Sequence, residues 1–153
     1  MTTRSEATTA ARPFDRLVRP RLLDLYCCAG GAGSGYARAG FDVVGVDINP
    51  QPRYPFEFHQ ADALEFLREH GHMFDAIHAS PPCQAYSETR RIQSNDHPEL
   101  IPPTRQALKR LGLPWVIENV PGSPLIDPVE LCGAMFGLRT YRHRLFETSF
   151  PVT

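Results

Sequence analysis

Long apolar runs are missing from this chain. None approaches the roughly 20 residues that a membrane-crossing helix requires. The Thr-, Ala- and Arg-rich start holds no apolar segment of the secretory kind. Glu6, Asp15 and Pro13 also weaken a mitochondrial-type presequence, so residues 1–19 are expected to be a disordered lead-in and 20–153 the folded domain. An excess of charge is missing too. Lys and Arg total 16 against 17 Asp and Glu, a formal net charge of −1, which excludes nucleic-acid binding by bulk positive charge. Contact with a polyanion then needs a local basic surface. Arg90 with Arg91, and the group Arg139, Arg142 and Arg144, are the two candidates.

Cysteine is scarce and badly spaced for cross-linking. The four, at 27, 28, 83 and 132, fit neither a C-x-x-C zinc site nor a disulfide framework. Adjacent Cys27 and Cys28 pair only with strain. No metal and no membrane partner are expected, and Cys27, Cys28 and Cys132 read as reduced thiols of a cytoplasmic protein. What is present is ordinary globular material. With 42% hydrophobic and 22% charged residues in 153, the chain has a single-domain length able to bury a core.

The pattern alternates strands and helices. Strands are expected at 21–26, 41–47, 56–60, 74–79 and 114–118, each apolar or β-branched and bounded by turn signals. Helices are expected at 34–39, stopped by Gly40; at 63–69, capped by Asp62 and stopped by Gly71; and from Pro102 to about Leu111. Residues 80–100 lack periodicity and read as a long loop, a feature that is usually functional. One further helix is expected over Val129–Phe136, and a terminal hairpin or edge strand over Arg142–Phe150. Arg105, Lys109 and Arg110 read as a solvated helix face, and Trp115 as core. This order implies an α/β domain with a doubly wound, mostly parallel sheet. Such sheets hold ligands at the carboxyl ends of their strands.

Candidate site residues fall at those ends. Gly30, Gly31, Gly33 and Gly35 follow the first strand and open a helix, which permits a tight turn and close backbone approach to a ligand. Asp47 ends the second strand, where a carboxylate can accept from both hydroxyls of a ribose. Asp62 ends the third, where it either accepts from an adenine amino group or caps the helix. These residues fit a nucleoside cofactor and leave S-adenosylmethionine and a nicotinamide dinucleotide both open.

Cys83 stands in Ser80-Pro-Pro-Cys-Gln84 directly after the fourth strand, where a loop can expose it and Pro81 and Pro82 stiffen the approach. An exposed cysteine of lowered pKa is a nucleophile. Glu118 ends the apolar strand Trp115-Val-Ile-Glu118, which aims an otherwise expensive carboxylate into the strand-end cleft. Arg142 and Arg144 are two residues apart, hence on one face of an extended strand. Thiolate, carboxyl and guanidinium together suit addition to an electron-poor ring whose developing negative charge needs an acid and a cation.

At these residues the chain resembles the cytosine-5 DNA methyltransferases. The match takes in Asp24-Leu-Tyr-Cys-Cys-Ala-Gly-Gly31, Ser80-Pro-Pro-Cys-Gln-Ala-Tyr-Ser87, Glu118-Asn-Val120 and Phe136-Gly-Leu-Arg-Thr-Tyr-Arg-His-Arg-Leu145. The order Pro-Pro-Cys-Gln then Glu-Asn-Val is highly specific. The resemblance implies the methyltransferase form of the Rossmann-like fold, with S-adenosylmethionine as cofactor and a flipped cytosine of DNA as substrate. It makes Cys83 the nucleophile, puts Glu118 against ring nitrogen 3 and Arg144 against the base, and leaves Arg142 to support the site. Tyr26, Cys28, Ala29, Gly30, Gly31, Asp47, Ile48, Asp62, Ala63 and Pro82 would form the cofactor pocket. Gln84 and Ser87 would lie close to DNA, and Asn119 would orient the loop carrying Cys83.

The departures are specific. Cys28 replaces a usual glycine, so a positive φ there would be strained. Tyr26 replaces Phe, and Thr140 replaces Gln. The resemblance spans about residues 21–147 and includes no target-recognition domain, so a second subunit supplying target recognition is expected. Two alternatives stand beside the enzyme. One is a catalytically incomplete cofactor- or DNA-binding domain, a remnant or half of a split enzyme; the other is the same chemistry on RNA cytosine. A dehydrogenase leaves Pro-Pro-Cys-Gln and Glu-Asn-Val unexplained.

Overall fold

A computed structural model describes residues 19–82 and 99–152. The expected lead-in and Cys83, Gln84, Ser87, Arg90 and Arg91 lie outside the described residues, apart from Arg19 at the lead-in's end. The strands are β1 (Arg21–Leu25), β2 (Asp42–Asp47), β3 (Glu57–Gln60), β4 (Ala76–Ala79), β5 (Trp115–Asn119), β6 (Val129–Cys132) and β7 (His143–Thr148). The helices are α1 (Gly31–Arg38), α2 (Ala63–His70) and α3 (Ile101–Leu111). All seven strands join one sheet in the order β3-β2-β1-β4-β5-β7-β6. Strands β1 to β5 pair in parallel, whereas β7 runs antiparallel to both β5 and β6. The strand order reverses between β1 and β4, and in open α/β sheets such a switch point opens the ligand crevice.

Alternation along the strands gives the sheet two unlike faces. On one, Leu23, Leu25, Val44, Val46, Ile77, Ala79, Trp115 and Ile117 pack with Ala63 and Leu67 of α2 and Leu108 of α3. Full burial of each such Leu or Ile contributes roughly 1.5–3 kcal/mol. The residues between them, including Asp24, His78 and Glu118, fall on the opposite face, where α1 packs. One face is oily and the other carries the chemistry.

Local signals start and stop the helices. The side chain of Asp62 accepts from the backbone N–H groups of Leu64 and Glu65, both at 2.9 Å, and so caps α2. Pro102 and Pro103 occupy the first turn of α3, where a missing N–H costs nothing, and Gly112 ends it at φ 74.

Two expectations fail. Val129–Phe136 is not a helix: Val129–Cys132 is β6, paired with β7, and only Gly133–Phe136 turns as a short 3-10 segment. Without β6, the outer edge of β7 would present a row of unpaired backbone groups. The terminal edge hairpin forms from β6 and β7, whereas the expected range Arg142–Phe150 holds β7 alone, an interior strand with β6 at the edge. Arg105 is not solvated. Its guanidinium makes a two-pronged contact with the buried Glu147 of β7, Nε to Oε1 and Nη2 to Oε2, each 2.7 Å. It also donates to the Pro124 carbonyl, while Ile126 N–H donates to Glu147.

This pair bolts α3 to the antiparallel end of the sheet. Removing one member leaves the other charge buried, which typically costs 3–5 kcal/mol. Glu147→Ala is expected to lower the unfolding free energy in urea by about 3 kcal/mol, with Lys109→Ala changing it by less than about 0.5 kcal/mol. A loss below about 1 kcal/mol for Glu147→Ala would contradict this assignment of the brace.

Candidate active site

The carboxyl ends of the parallel strands converge on one side of the sheet. After β1 the chain enters a tight loop in which Tyr26 has φ 57, Cys28 φ 46 and Gly30 φ 85. Gly30 answers to sterics as well as to backbone angle, since a Cβ there would sit 2.8 Å from Pro55 Cδ. Cys28 adopts the positive φ that makes the absence of glycine costly, about 1–3 kcal/mol for a non-glycine residue. Asp47 offsets part of that cost. Its buried carboxylate accepts from Cys28 N–H at 3.1 Å and from Asn49 N–H at 2.9 Å.

Asp47 therefore fastens the glycine loop to the end of β2 while each of its oxygens keeps a lone pair for a further donor. Ile48 follows, 65% exposed, an apolar wall beside a carboxylate. Asp62 uses Oδ1 for both capping bonds, so its Oδ2 takes no hydrogen bond among the described residues. The hydroxyl that distinguishes Tyr26 from Phe has a partner in the buried Thr104 of α3, at 2.9 Å. Cys28, Ala29 and Gly31 line the exposed side of the loop, and Ala63 is buried in the first turn of α2. The donor set fits a nucleoside: a carboxylate for a diol, a second for an exocyclic amine, and apolar walls between them.

The other half of the site is built at β5. Glu118 pairs with Arg144 of β7, Oε1 to Nε at 3.1 Å. Asn119 is buried and donates from Nδ2 to the Pro81 carbonyl at 2.9 Å. That bond holds the chain two residues ahead of Cys83. Pro82 is the last residue described before the nucleophile segment, and it is exposed. Arg142 lies just ahead of β7 and is exposed, so the strand-face argument joins only Arg144 to Glu118.

The face under α1 holds polar groups to which the sequence reading gave no role. Asp24 of β1 is 1% exposed and accepts from Tyr54 Oη at 3.1 Å. Burial, above all, raises its carboxyl to about 7, with Glu118 and Asp47 adding to the rise. His78, beside Asp24 in the strand register, is held neutral by burial, its pKa lowered to about 4. Both were legible as polar residues inside apolar strands, which are costly unless partnered. Burial pushes the Cys27 thiol up to about 12, so it has no thiolate character at neutral pH.

Among the described residues no three His, Cys, Asp or Glu side chains gather as metal ligands, and no helix is long and apolar enough to cross a membrane. A cavity of about 810 Å³ lined by Trp115, Val129, Thr148 and Phe150 lies at the other end of the sheet and includes none of the strand-end groups described above.

No family model matches the sequence, and no curated protein matches it. Solved structures do. The Dnmt2 methyltransferase of S. pombe superposes over 88% of this chain and 51% of its own, with a TM-score of 0.62 and 19% identity. The 1,6-didemethyltoxoflavin-N1-methyltransferase of Burkholderia thailandensis, solved with 1,6-didemethyltoxoflavin and S-adenosylhomocysteine, covers 85% and 70%, with a TM-score of 0.57 and 12% identity. A SAM-dependent methyltransferase from Agrobacterium tumefaciens covers 85% and 55%, at 0.54 and 16%. The fold is that of the S-adenosylmethionine-dependent methyltransferases. At these identities the likeness is one of fold, and the chain spans about half the length of the S. pombe protein.

Two outcomes follow from the buried and strained residues. Replacing Cys28 by Gly is expected to raise the unfolding free energy by about 1 kcal/mol in urea, and a loss of stability would contradict the strain. The pH dependence concerns Asp24 and His78. Between 3.8 and about 7 the folded chain keeps an Asp24 proton that the unfolded chain loses, so stability falls as pH rises. Between about 4 and 6.5 the unfolded chain protonates His78 and the folded chain does not, so stability rises with pH. The two slopes oppose each other over their shared window. Relative to the unmodified chain, Asp24→Asn should therefore gain up to about 1.4 kcal/mol per pH unit across that window. Parallel profiles for the two proteins would refute the assignment.

Proposed function

We propose that the chain methylates carbon 5 of cytosine in DNA, using S-adenosylmethionine and a covalent adduct through Cys83. The observation that carries this reading is the Glu118–Arg144 pair, held at the strand ends beside the root of the Cys83 segment. The fold supports S-adenosylmethionine over a dinucleotide, and Asp47, Ile48 and Asp62 are the residues that would hold it. When bound, that cofactor supplies an electrophilic methyl group on a sulfonium.

Carbon 5 of cytosine is too weak a nucleophile to take that methyl unaided. The Cys83 thiolate adds to carbon 6, and the ring's electron pair shifts toward nitrogen 3 and carbon 5. Glu118, as the acid, supplies a proton or hydrogen bond at nitrogen 3, and Arg144 stabilises charge at oxygen 2. The activated carbon 5 would then be the nucleophile for the methyl group that bound S-adenosylmethionine would supply, with S-adenosylhomocysteine as the leaving product. Loss of the carbon 5 proton to a base expels the thiolate and restores the ring double bond.

DNA as the substrate draws on Gln84 and Ser87 in the sequence, and on Arg139, Tyr141 and Arg142, which are exposed and lead into β7 and Arg144. Exposed arginines with an aromatic neighbour suit phosphate and base contact. A second reading, a domain that binds cofactor or DNA and turns over only with a partner subunit, draws on the chain's spanning about half of the S. pombe structure.

DNA and RNA containing 5-fluorocytosine separate these readings. With S-adenosylmethionine present, the full chain should form a denaturation-resistant adduct with DNA that Cys83→Ser abolishes. An adduct with RNA alone would move the substrate to RNA. No adduct from a folded chain that binds S-adenosylhomocysteine would leave the partner-dependent reading. In the same preparation, Asp62→Asn should keep the α2 cap and thermal stability yet weaken S-adenosylhomocysteine binding about tenfold, because Asn caps as well as Asp but lacks the second acceptor oxygen.

A further inference from the structure

The polar face of the sheet holds one histidine that the proposed chemistry does not use. His78 is 2% exposed in the middle of the apolar strand β4. Both ring nitrogens are engaged: Tyr36 Oη of α1 lies 3.1 Å from Nδ1, and Ser80 Oγ lies 2.9 Å from Nε2. Glu118 Oε2 lies 3.8 Å from the same Nε2. The Tyr36 ring also rests against the imidazole, with centroids 5.3 Å apart.

A histidine buried for packing alone needs partners, and two hydroxyls would satisfy it. What sets His78 apart is where those contacts lead. Ser80 opens the Ser80-Pro81-Pro82 segment that runs into Cys83, and Glu118 is the acid of the proposed reaction. We propose that His78, with Tyr36 behind it, is a positioning residue that fixes the Glu118 carboxyl against the root of the Cys83 segment. This inference rests on the cytosine-5 reading for its catalytic meaning, and on geometry alone for the contact.

A neutral imidazole has a single N–H, and both hydroxyls can donate or accept, so the carboxylate decides. A lone pair on Nε2 would face the Glu118 carboxylate, which favours the N–H on Nε2. In that form the N–H donates to Ser80 Oγ and Tyr36 donates to Nδ1. Glu118 Oε1 bonds Arg144 at 3.1 Å, and Oε2 lies 3.8 Å from the imidazole edge, an electrostatic contact rather than a hydrogen bond. The other titratable groups around this ring are Asp24, its neighbour on β1, and Tyr36 itself, whose hydroxyl is pushed up to about 12 by burial and stays protonated.

The test uses the full chain labelled with carbon-13 at glutamate carboxyls, with the Glu118 signal identified by its loss in Glu118→Gln. Tyr36→Phe removes one hydroxyl and is the variant that decides, since His78→Ala risks unfolding. Tyr36→Phe should move the Glu118 carboxyl carbon-13 resonance at fixed pH by more than its linewidth. It should also slow methyl transfer about tenfold without changing S-adenosylhomocysteine affinity. His78→Gln, whose amide can donate near the Nε2 position, should retain more of the rate than His78→Ala. A Glu118 carboxyl resonance unmoved in Tyr36→Phe overturns the inference, whatever the activity. If the resonance moves but the unmodified chain methylates no cytosine, the contact stands and the cytosine-5 reading fails. If methylation occurs and the resonance stays put, the inference alone fails.

Discussion

The Glu118–Arg144 contact, 3.1 Å between Oε1 and Nε, ties the sheet's architecture to its chemistry. Glu118 sits near the carboxyl end of a parallel strand, where the glycine loop after β1 and residues 80–82 after β4 also lie. Arg144 reaches that end because β7 runs backward, pairing Asn119 with Leu145. A parallel seventh strand would deliver its arginine to the opposite end. The pair is partly exposed, so its contribution to stability is small, on the order of 0–1 kcal/mol. Its value is geometric, and the stability of the hairpin that delivers it comes from elsewhere, chiefly the buried Arg105–Glu147 brace and the β6 pairing.

A second constraint is economy among the polar side chains. Asp62 caps α2 with one oxygen, to which two backbone N–H groups donate. Asp47 holds two backbone N–H groups of the loops it separates. Asn119 accepts from Val120 N–H with its own oxygen while its amide nitrogen holds Pro81. Each residue completes a local structure at the carboxyl ends of the strands. For Asp62 the cap occupies one oxygen only, so capping does not exclude the proposed ligand contact.

The parallel strands, the three helices and the strand-end positions of Asp47, Asp62 and Glu118 were readable from the sequence, because apolar runs followed by Gly, Pro or Asp are local signals. The β6 strand was not. Four residues with Val129 at their head and a turn behind them carry no period long enough to separate strand from helix, and what decides is the open edge of β7, a tertiary fact. The same is true of Arg105, whose basic neighbours suggested solvent until α3 was placed over Glu147. Within the site, Asp47, Asp62, Glu118 and Asn119 were legible through position and motif. Asp24 and His78 stood out singly as polar residues in apolar strands, but their grouping with Tyr36 was not legible, since the three lie on different elements and meet only when β1, β4 and α1 are stacked. The Arg142–Arg144 spacing misled because β7 begins one residue too late to include both.

Release of tritium from carbon 5 of cytosine tests the central claim most directly. That hydrogen leaves only if carbon 6 has been attacked and carbon 5 activated, so methylation at nitrogen or oxygen does not release it. DNA carrying 5-tritiated cytosine, incubated with the full chain and S-adenosylmethionine, should lose label to water in step with methyl incorporation, and Cys83→Ser and Glu118→Gln should suppress both. Methyl incorporation without tritium release would contradict the account, as would release that survives the loss of Cys83.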